Sequence, residues 1–386
     1  MIPYGKQDIN QADIDSVIDV LQSDFLTQGP QVPLFEKTVS DYCGAEYGVA
    51  VNSATSALHI ACMALNLGKD DYLWTSSNTF VASANCGLYC GAKIDFIDID
   101  LKTYNLSIEE LEEKLIQAKK DNKLPKIIIP VHFAGQSCDM RKIHSLSQEY
   151  GFKIIEDASH AIGGRYLDKP IGGCQYSDIT VFSFHPVKII TTAEGGLATT
   201  NNKELLTRMQ LYRSHGVTRD PKLITKEIEG SWYYQQVALG FNYRMTELQA
   251  ALGVSQMGRL DEFVAIRHKL RKRYDLLLNG SQIIKPYQDK ESYSALHLYP
   301  IQINLDEVDK NRQQVFNELR LNNIGVNVHY IPIHTQTYYS QFGFRLGDFP
   351  NSEAYYNKAI SIPIHSGMSV NQQDLVINSI NKIGSR

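Results

Sequence analysis

Apolar and polar positions follow two periods that take turns along this chain. Stretches with apolar residues three and four apart predict helices over 11–21, 57–67, 108–120, 139–150, 205–215, 308–322, 350–360 and 372–383. Alternating or continuous apolar stretches predict strands over 47–51, 72–75, 93–99, 126–132, 176–183, 196–200, 296–303 and 326–332, with another strand ending at Asp157. The helix over 108–120 carries an acidic first turn and a basic last turn, as the helix dipole favours. Residues 245–278 place Leu248, Leu252, Met257, Leu260 and Phe263 at helical spacing and predict one or two long helices. Residues 219–236 are irregular and mixed in charge, the pattern of a mobile loop. The unbroken run Ile127-Ile-Ile-Pro-Val suits a strand buried on both faces, as in a parallel sheet.

Alternating strands and helices give an α/β fold with a mainly parallel central sheet between helices. A length of 386 residues suits a large domain over 1–250 and a smaller C-terminal α/β domain over 251–386. A net charge of -4 leaves no footprint for nucleic acid or an acidic membrane surface. No apolar run approaches a membrane span, and the first residues lack the pattern of a signal peptide. The six cysteines show neither paired zinc spacing nor the density of a secreted scaffold, so reduced thiols in a cytoplasmic protein are expected, with no metal.

Three positions offer chemistry. Lys188 sits in a Pro- and Gly-punctuated turn between two strands, Phe182-Ser-Phe-His-Pro-Val-Lys188 and then Glu194-Gly-Gly196. It is either a surface loop lysine or a partly desolvated amine whose lowered pKa makes it a nucleophile. Asn52-Ser-Ala-Thr-Ser56 joins a strand to a helix. Its small side chains and free N–H groups make an anion site, unless Ser53 or Thr55 simply caps the helix. Asp157 falls at a strand end, where ligands bind in open α/β sheets, or else caps local backbone. Phe80, His160 and the Phe25–Pro30 loop have plain structural readings, as core, a satisfied histidine and a connection.

Ser183-Phe-His-Pro-Val-Lys188 with Glu194-Gly-Gly196, together with Asp157-Ala-Ser-His160 and Asn242-Tyr-Arg244-Met, resembles the sugar aminotransferases of the DegT/DnrJ/EryC1/StrS family. The resemblance implies a pyridoxal-phosphate (PLP) enzyme of transferase fold type I. It makes Lys188 the cofactor-bearing lysine and Asp157 the partner of the pyridine nitrogen, both catalytic. It puts the cofactor phosphate against Ala54, Thr55, Ser56 and Ser183, and against Asn242 reaching from a neighbouring subunit. Phe80 stacks on the ring and His160 packs beside it. Tyr4, Leu26, Thr27, Gln28, Gly29, His329 and Tyr330 line the substrate pocket, and Arg219, Lys222 and Arg244 are available for a diphosphate. Where the family usually has Gly-Thr in the phosphate turn, this chain has Ala54-Thr55.

The implied partners are a UDP-sugar and L-glutamate, in a homodimer with shared sites. The implied reaction aminates C4 of a UDP-linked 4-keto-6-deoxy-N-acetylhexosamine in pseudaminic acid biosynthesis. Three alternatives stand beside it. They are an aminotransferase for an epimeric UDP, dTDP or GDP sugar, a PLP-dependent sugar dehydratase, and a non-catalytic PLP-binding sensor. The dehydratases carry His at the lysine position, so Lys188 speaks against them. A sensor has no need of Lys188, Asp157, Ser183 and Asn242 together.

Overall fold

The computed structural model describes residues 1–280 and 282–383. Its helices start where the chain supplies a capping group. Helix α1 (Gln11–Leu21) opens on Asn10, which accepts from the Asp13 N–H while Asp13 accepts from the Asn10 N–H. Helix α2 (Gln31–Cys43) lies outside the pattern-based expectation. Its first N–H groups, from Gln31 and Val32, donate to the buried carboxylate of Glu247, a cap from far along the chain. The chain then runs β1 (Tyr47–Val51), α3 (Ala54–Ala64), β2 (Tyr72–Ser76), α4 (Ala82–Tyr89), β3 (Lys93–Ile97) and α5 (Ile108–Lys120). It continues β4 (Ile127–Ile129), α6 (Met140–Tyr150), β5 (Lys153–Asp157), β6 (Ile179–Ser183), β7 (Gly196–Thr200) and α7 (Lys203–Arg213).

These seven strands form one sheet in the order β1-β7-β6-β5-β4-β2-β3. Only β7 runs against its neighbours; the other pairings are parallel. Successive residues bury opposite faces, as a pleat requires. Leu73, Ile127, Ile129, Ile155 and Ile179 pack against α3, α4 and α7. Trp74, Ile128 and Ile154 pack against α5 and α6. On that second face Phe182 and Leu197 meet Phe35 and Val39 of α2.

Helix α8 (Glu247–Met257) and helix α9 (Leu260–Leu277) split the long helical stretch in two at Gly258-Arg259. A second core follows, around an antiparallel sheet of β8 (Ile283–Ile284), β9 (Tyr299–Ile303) and β10 (Ala359–Ile362). Helices α10 (Arg312–Leu321), α11 (Pro350–Lys358) and α12 (Val370–Asn381) complete this part. Ile301, Ile303, Val315, Leu319, Ile360 and Val376 fill the core, and Ile2 joins them from the start of the chain.

The strand expected over 326–332 does not form; Asn327 alone makes a bridge, to Ser361. The backbone donors there go elsewhere: Val328 N–H to the Asn327 side chain, Tyr330 N–H to the Asn78 side chain, and Ile333 N–H to the Ser77 carbonyl. Residues 219–236 are irregular as expected, apart from the short pairing of Thr218 with Gln235. Among the described residues no helix is long and apolar enough to cross a membrane, and no His, Cys, Asp and Glu cluster could hold a metal. All six cysteines are free.

Candidate active site

Because six strands point the same way, their C-terminal ends share one edge of the sheet, and a cavity of about 550 Å³ opens there. Ala54 and Thr55 enter it after β1, Thr79 and Phe80 after β2, Asp157 and His160 from β5, and Ser183 and Lys188 after β6. The second core closes the opposite side with His297, Asn327, His329 and Tyr330, and Tyr4 comes from the first residues of the chain.

At one end is the α3 N-terminus. Ser53 is its cap, accepting from the Ser56 N–H at 3.1 Å. The N–H groups of Ala54 and Thr55 precede the helical ladder and have no partner among the described residues, so both the cap and the anion site are present. Gly196 permits this closeness, since a Cβ there would stand 2.4 Å from the Ala54 nitrogen. Ser183 lines the same wall and its hydroxyl has no hydrogen bond among the described residues. Ser56 does not line the cavity; its hydroxyl donates to Asn52 Oδ1 at 2.7 Å.

Asp157 is 5% exposed at the end of β5. Its Oδ2 accepts from the Ser83 hydroxyl at 2.7 Å and its Oδ1 from the Ser159 N–H at 3.1 Å. Lys188 lies in the turn after β6, where its N–H donates to the His185 carbonyl. Desolvation in the cavity pushes its amine down to about 8, against an opposing pull from Asp157.

Three cavity histidines, His160, His297 and His329, are uncharged at neutral pH. Burial, with Lys188 and His329 nearby, holds His160 well below its ordinary value, and burial pushes His329 down to about 3. His160 Nδ1 accepts from the Ala134 N–H, so Nε2 carries the proton and donates to the Tyr330 hydroxyl at 3.0 Å. The Tyr330 hydrogen is thereby left to point at an acceptor of its own. Burial raises the Tyr330 pKa, so it stays a donor. His329 accepts from Asn327 and donates from Nδ1 to Ser361 at 2.8 Å. His297 is 4% exposed, its ring centroid is 4.3 Å from that of His160, and its Nδ1 has no partner among the described residues.

The structure therefore gathers Tyr4, Ala54, Thr55, Phe80, Asp157, His160, Ser183, Lys188, His329 and Tyr330 around one space. It does not bring Leu26, Thr27, Gln28, Gly29 or Asn242 of the same chain to it. Leu26, Thr27 and Gln28 are exposed, Gly29 is half-buried, and the loop rests on the start of α8, where Leu26 accepts from the Glu247 N–H. Asn242 bridges Ser214. Thr79, Ser83, His297 and Asn327 are site residues that sequence reasoning passed over. Ser83 and Thr79 lie in a Ser/Thr-rich run, which is a weak signal, and His297 sits in a stretch that reads only as strand.

The donor set fits PLP. Free N–H groups and a hydroxyl suit a phosphate, a buried carboxylate suits a ring N–H, and a lysine amine pushed down to about 8 suits an aldehyde. The fold and this donor set define a PLP-dependent aminotransferase of fold type I. Residues 7–381 match the DegT/DnrJ/EryC1/StrS aminotransferase family, and the chain belongs to it. It is 35% identical over 383 residues to the UDP-4-amino-4,6-dideoxy-N-acetyl-beta-L-altrosamine transaminase of Campylobacter jejuni, spanning 98% of this chain and 96% of that one. Among solved structures it is similar to Helicobacter pylori PseC, an aminotransferase of pseudaminic acid biosynthesis, with TM-score 0.89, 29% identity, and coverage of 99% and 98%. The PMP form of a Streptococcus pneumoniae protein assigned as a sugar aminotransferase gives the same TM-score, 0.89, and identity, 29%, covering 100% of this chain and 99% of that one.

Proposed function

We propose that this sugar aminotransferase moves the amino group of L-glutamate onto C4 of a UDP-linked 4-keto-6-deoxy-N-acetylhexosamine, in the cytoplasm, on the route to pseudaminic acid. The observation that carries the substrate is the end-to-end similarity to the C. jejuni altrosamine transaminase.

When bound, PLP supplies an electrophilic carbon and an electron-accepting ring. In this reading Lys188 carries it, the α3 N-terminus with Thr55 and Ser183 holds its phosphate, Asp157 meets its ring nitrogen, and Phe80 covers its face. Freed once the donor's amine has taken its place, the Lys188 amine would take the proton from the donor Cα and deliver it to the cofactor carbon that Lys188 had held. A positioned base of this kind supplies on the order of 10² to 10⁴ in rate. Neutral His160 keeps a second positive charge away from that amine and fixes the Tyr330 hydroxyl. Tyr4 and Tyr330 offer hydrogen bonds to sugar hydroxyls, with the His329 ring forming the wall beside them, and a site built to pair hydroxyls rejects a sugar that leaves them unpaired.

The reading also requires a second copy of the chain. A phosphate, a diphosphate and a dicarboxylate all call for cations, yet among the described residues the cavity wall holds Lys188 and no arginine. Asn242, the 26–29 loop, Arg219, Lys222 and Arg244 lie outside the cavity of their own chain. In a homodimer the partner's copies of these segments complete the site.

The test is a panel of 4-keto and 3-keto sugar nucleotides incubated with L-glutamate, with NMR locating the new amine. Turnover of UDP-2-acetamido-2,6-dideoxy-β-L-arabino-hexos-4-ulose with the amine on C4 is expected. Turnover only of the epimeric, dTDP- or GDP-linked ketones overturns this substrate and leaves the aminotransferase class intact.

A further inference from the structure

The Asp157 carboxylate is held from outside its own strand. Ser83, on α4 and wholly buried, commits its one hydroxyl hydrogen to Asp157 Oδ2 at 2.7 Å. The 3.0 Å contact between Ser83 Oγ and Thr79 Oγ1 must then run the other way, with Thr79 donating to Ser83. Thr79 stands on the cavity wall. A directed chain of two hydroxyls thus starts at the wall and ends on the carboxylate, while Ser159 N–H fixes the other oxygen. Both oxygens act as acceptors, the pattern of an ionised carboxylate, and each keeps capacity for a further donor from the cavity.

Packing alone does not call for these hydroxyls. The first half of helix α4 is made of small residues, and Ala82 and Cys86 on either side of Ser83 pack onto the sheet without a hydroxyl. A buried hydroxyl without a partner costs stability, and the acceptor this one has is the Asp157 carboxylate. That acceptor is the one carboxylate in the cavity fixed from two sides.

We infer that Ser83 is a positioning residue for transamination, with Thr79 behind it. Together they set the plane of the Asp157 carboxylate so that its remaining lone pairs face the cofactor ring nitrogen. The inference rests on the reading of Asp157 as the partner of that nitrogen.

The test compares Ser83→Ala, Ser83→Thr, Thr79→Val, Asp157→Asn and Ser83→Ala/Asp157→Asn with the wild type. The readouts are PLP dissociation from the holoenzyme, the pH profile of the bound cofactor's visible absorbance, apoprotein melting, and the single-turnover glutamate half-reaction. Losing one hydrogen bond to a charged group should weaken PLP binding and slow the half-reaction by about tenfold each in Ser83→Ala. The KM for glutamate should stay within about twofold, since the lost contact does not touch the donor. The absorbance profile should shift in the direction seen for Asp157→Asn, and Ser83→Thr should recover the wild-type values. Thr79→Val, close to isosteric, should shift the same readouts in the same direction by less, which keeps the claim testable independently of how Ser83→Ala folds. In the Asp157→Asn background, Ser83→Ala should add nothing further.

Wild-type affinity and half-reaction in Ser83→Ala beside an impaired Asp157→Asn overturn the inference and leave the reading of Asp157 standing. A lowered apoprotein melting temperature as the sole effect of Ser83→Ala makes the residue structural and also overturns it. Full additivity with Asp157→Asn places the action of Ser83 elsewhere and likewise overturns it. A wild-type Asp157→Asn overturns the reading of Asp157 itself, and the inference falls with it.

Discussion

A single amine decides how this site loads. Desolvation holds Lys188 at about 8, so at pH 7 about a tenth of the molecules carry it uncharged, whereas an exposed lysine would be almost wholly charged. Only the uncharged amine attacks an aldehyde. The rate of PLP uptake by the apoprotein should therefore rise about fivefold between pH 7 and pH 8 and level off above about pH 9. Stopped-flow absorbance measures this, and borohydride reduction with peptide mapping should place the label on Lys188. A rate still climbing tenfold per pH unit beyond pH 9 would mark an ordinary lysine and count against the assignment. At this scale the sequence was informative where a residue ends its own strand, as Asp157 and Ser183 do. It was silent on Ser83, Thr79 and His297, because their roles are set by the elements they meet: β5 for the hydroxyls and the His160 ring for His297.

Among the elements, the junction of β7 with α3 matters most to the phosphate end of the cavity. A Cβ on Gly196 would meet the Ala54 nitrogen at 2.4 Å and the Ser53 carbonyl carbon at 2.5 Å, both backbone atoms. Gly196→Ala must therefore push β7 and the helix start apart. A loss of about 1–3 kcal/mol in stability is expected from such overpacking, with weaker PLP retention. Gly68→Ala, with open space around it, is the control and should change neither. Thermal melting of the apoprotein and dialysis of the holoenzyme check this, and unchanged PLP retention in Gly196→Ala would show that the cradle does not depend on the close approach. Element limits were most legible where the signals are local. α1, β1, α5 and β7 fall where the periodicity and the caps put them. Helix α2 did not, because Glu247 caps it from α8, and α4 did not, because its small residues carry no amphipathic stripe and no side-chain cap. The segment 326–332 has the apolar residues of a strand, but Asn78 and Ser77, just after β2, take donors from it and from Ile333 beyond its end.

At the scale of the whole molecule, the proposed homodimer would supply what one chain's cavity lacks. That cavity has a lysine to carry the cofactor but no arginine among the described residues for the charged substrates, while Asn242 and the 26–29 loop lie away from it. Phe25, Leu26, Trp232 and Leu239, in and near these segments, stand 54%, 48%, 69% and 76% exposed. In the proposed two-fold dimer one copy's loops would cover the other's cavity mouth, with the same segments exchanged both ways. The prediction uses two variants inactive for different reasons. Lys188→Ala cannot carry PLP, and Asn242→Asp sets a carboxylate against the cofactor phosphate. If Asn242 acts across the interface, a mixed dimer has one site bearing both lesions and one bearing neither. Equal amounts after full subunit exchange should recover about a quarter of the wild-type sites, because half the dimers are mixed and each offers one intact site. If Asn242 serves its own chain, every mixed site keeps one lesion and nothing is recovered. Native mass spectrometry of differently tagged chains establishes that exchange occurred, so silence in the assay after proven exchange means a self-contained site.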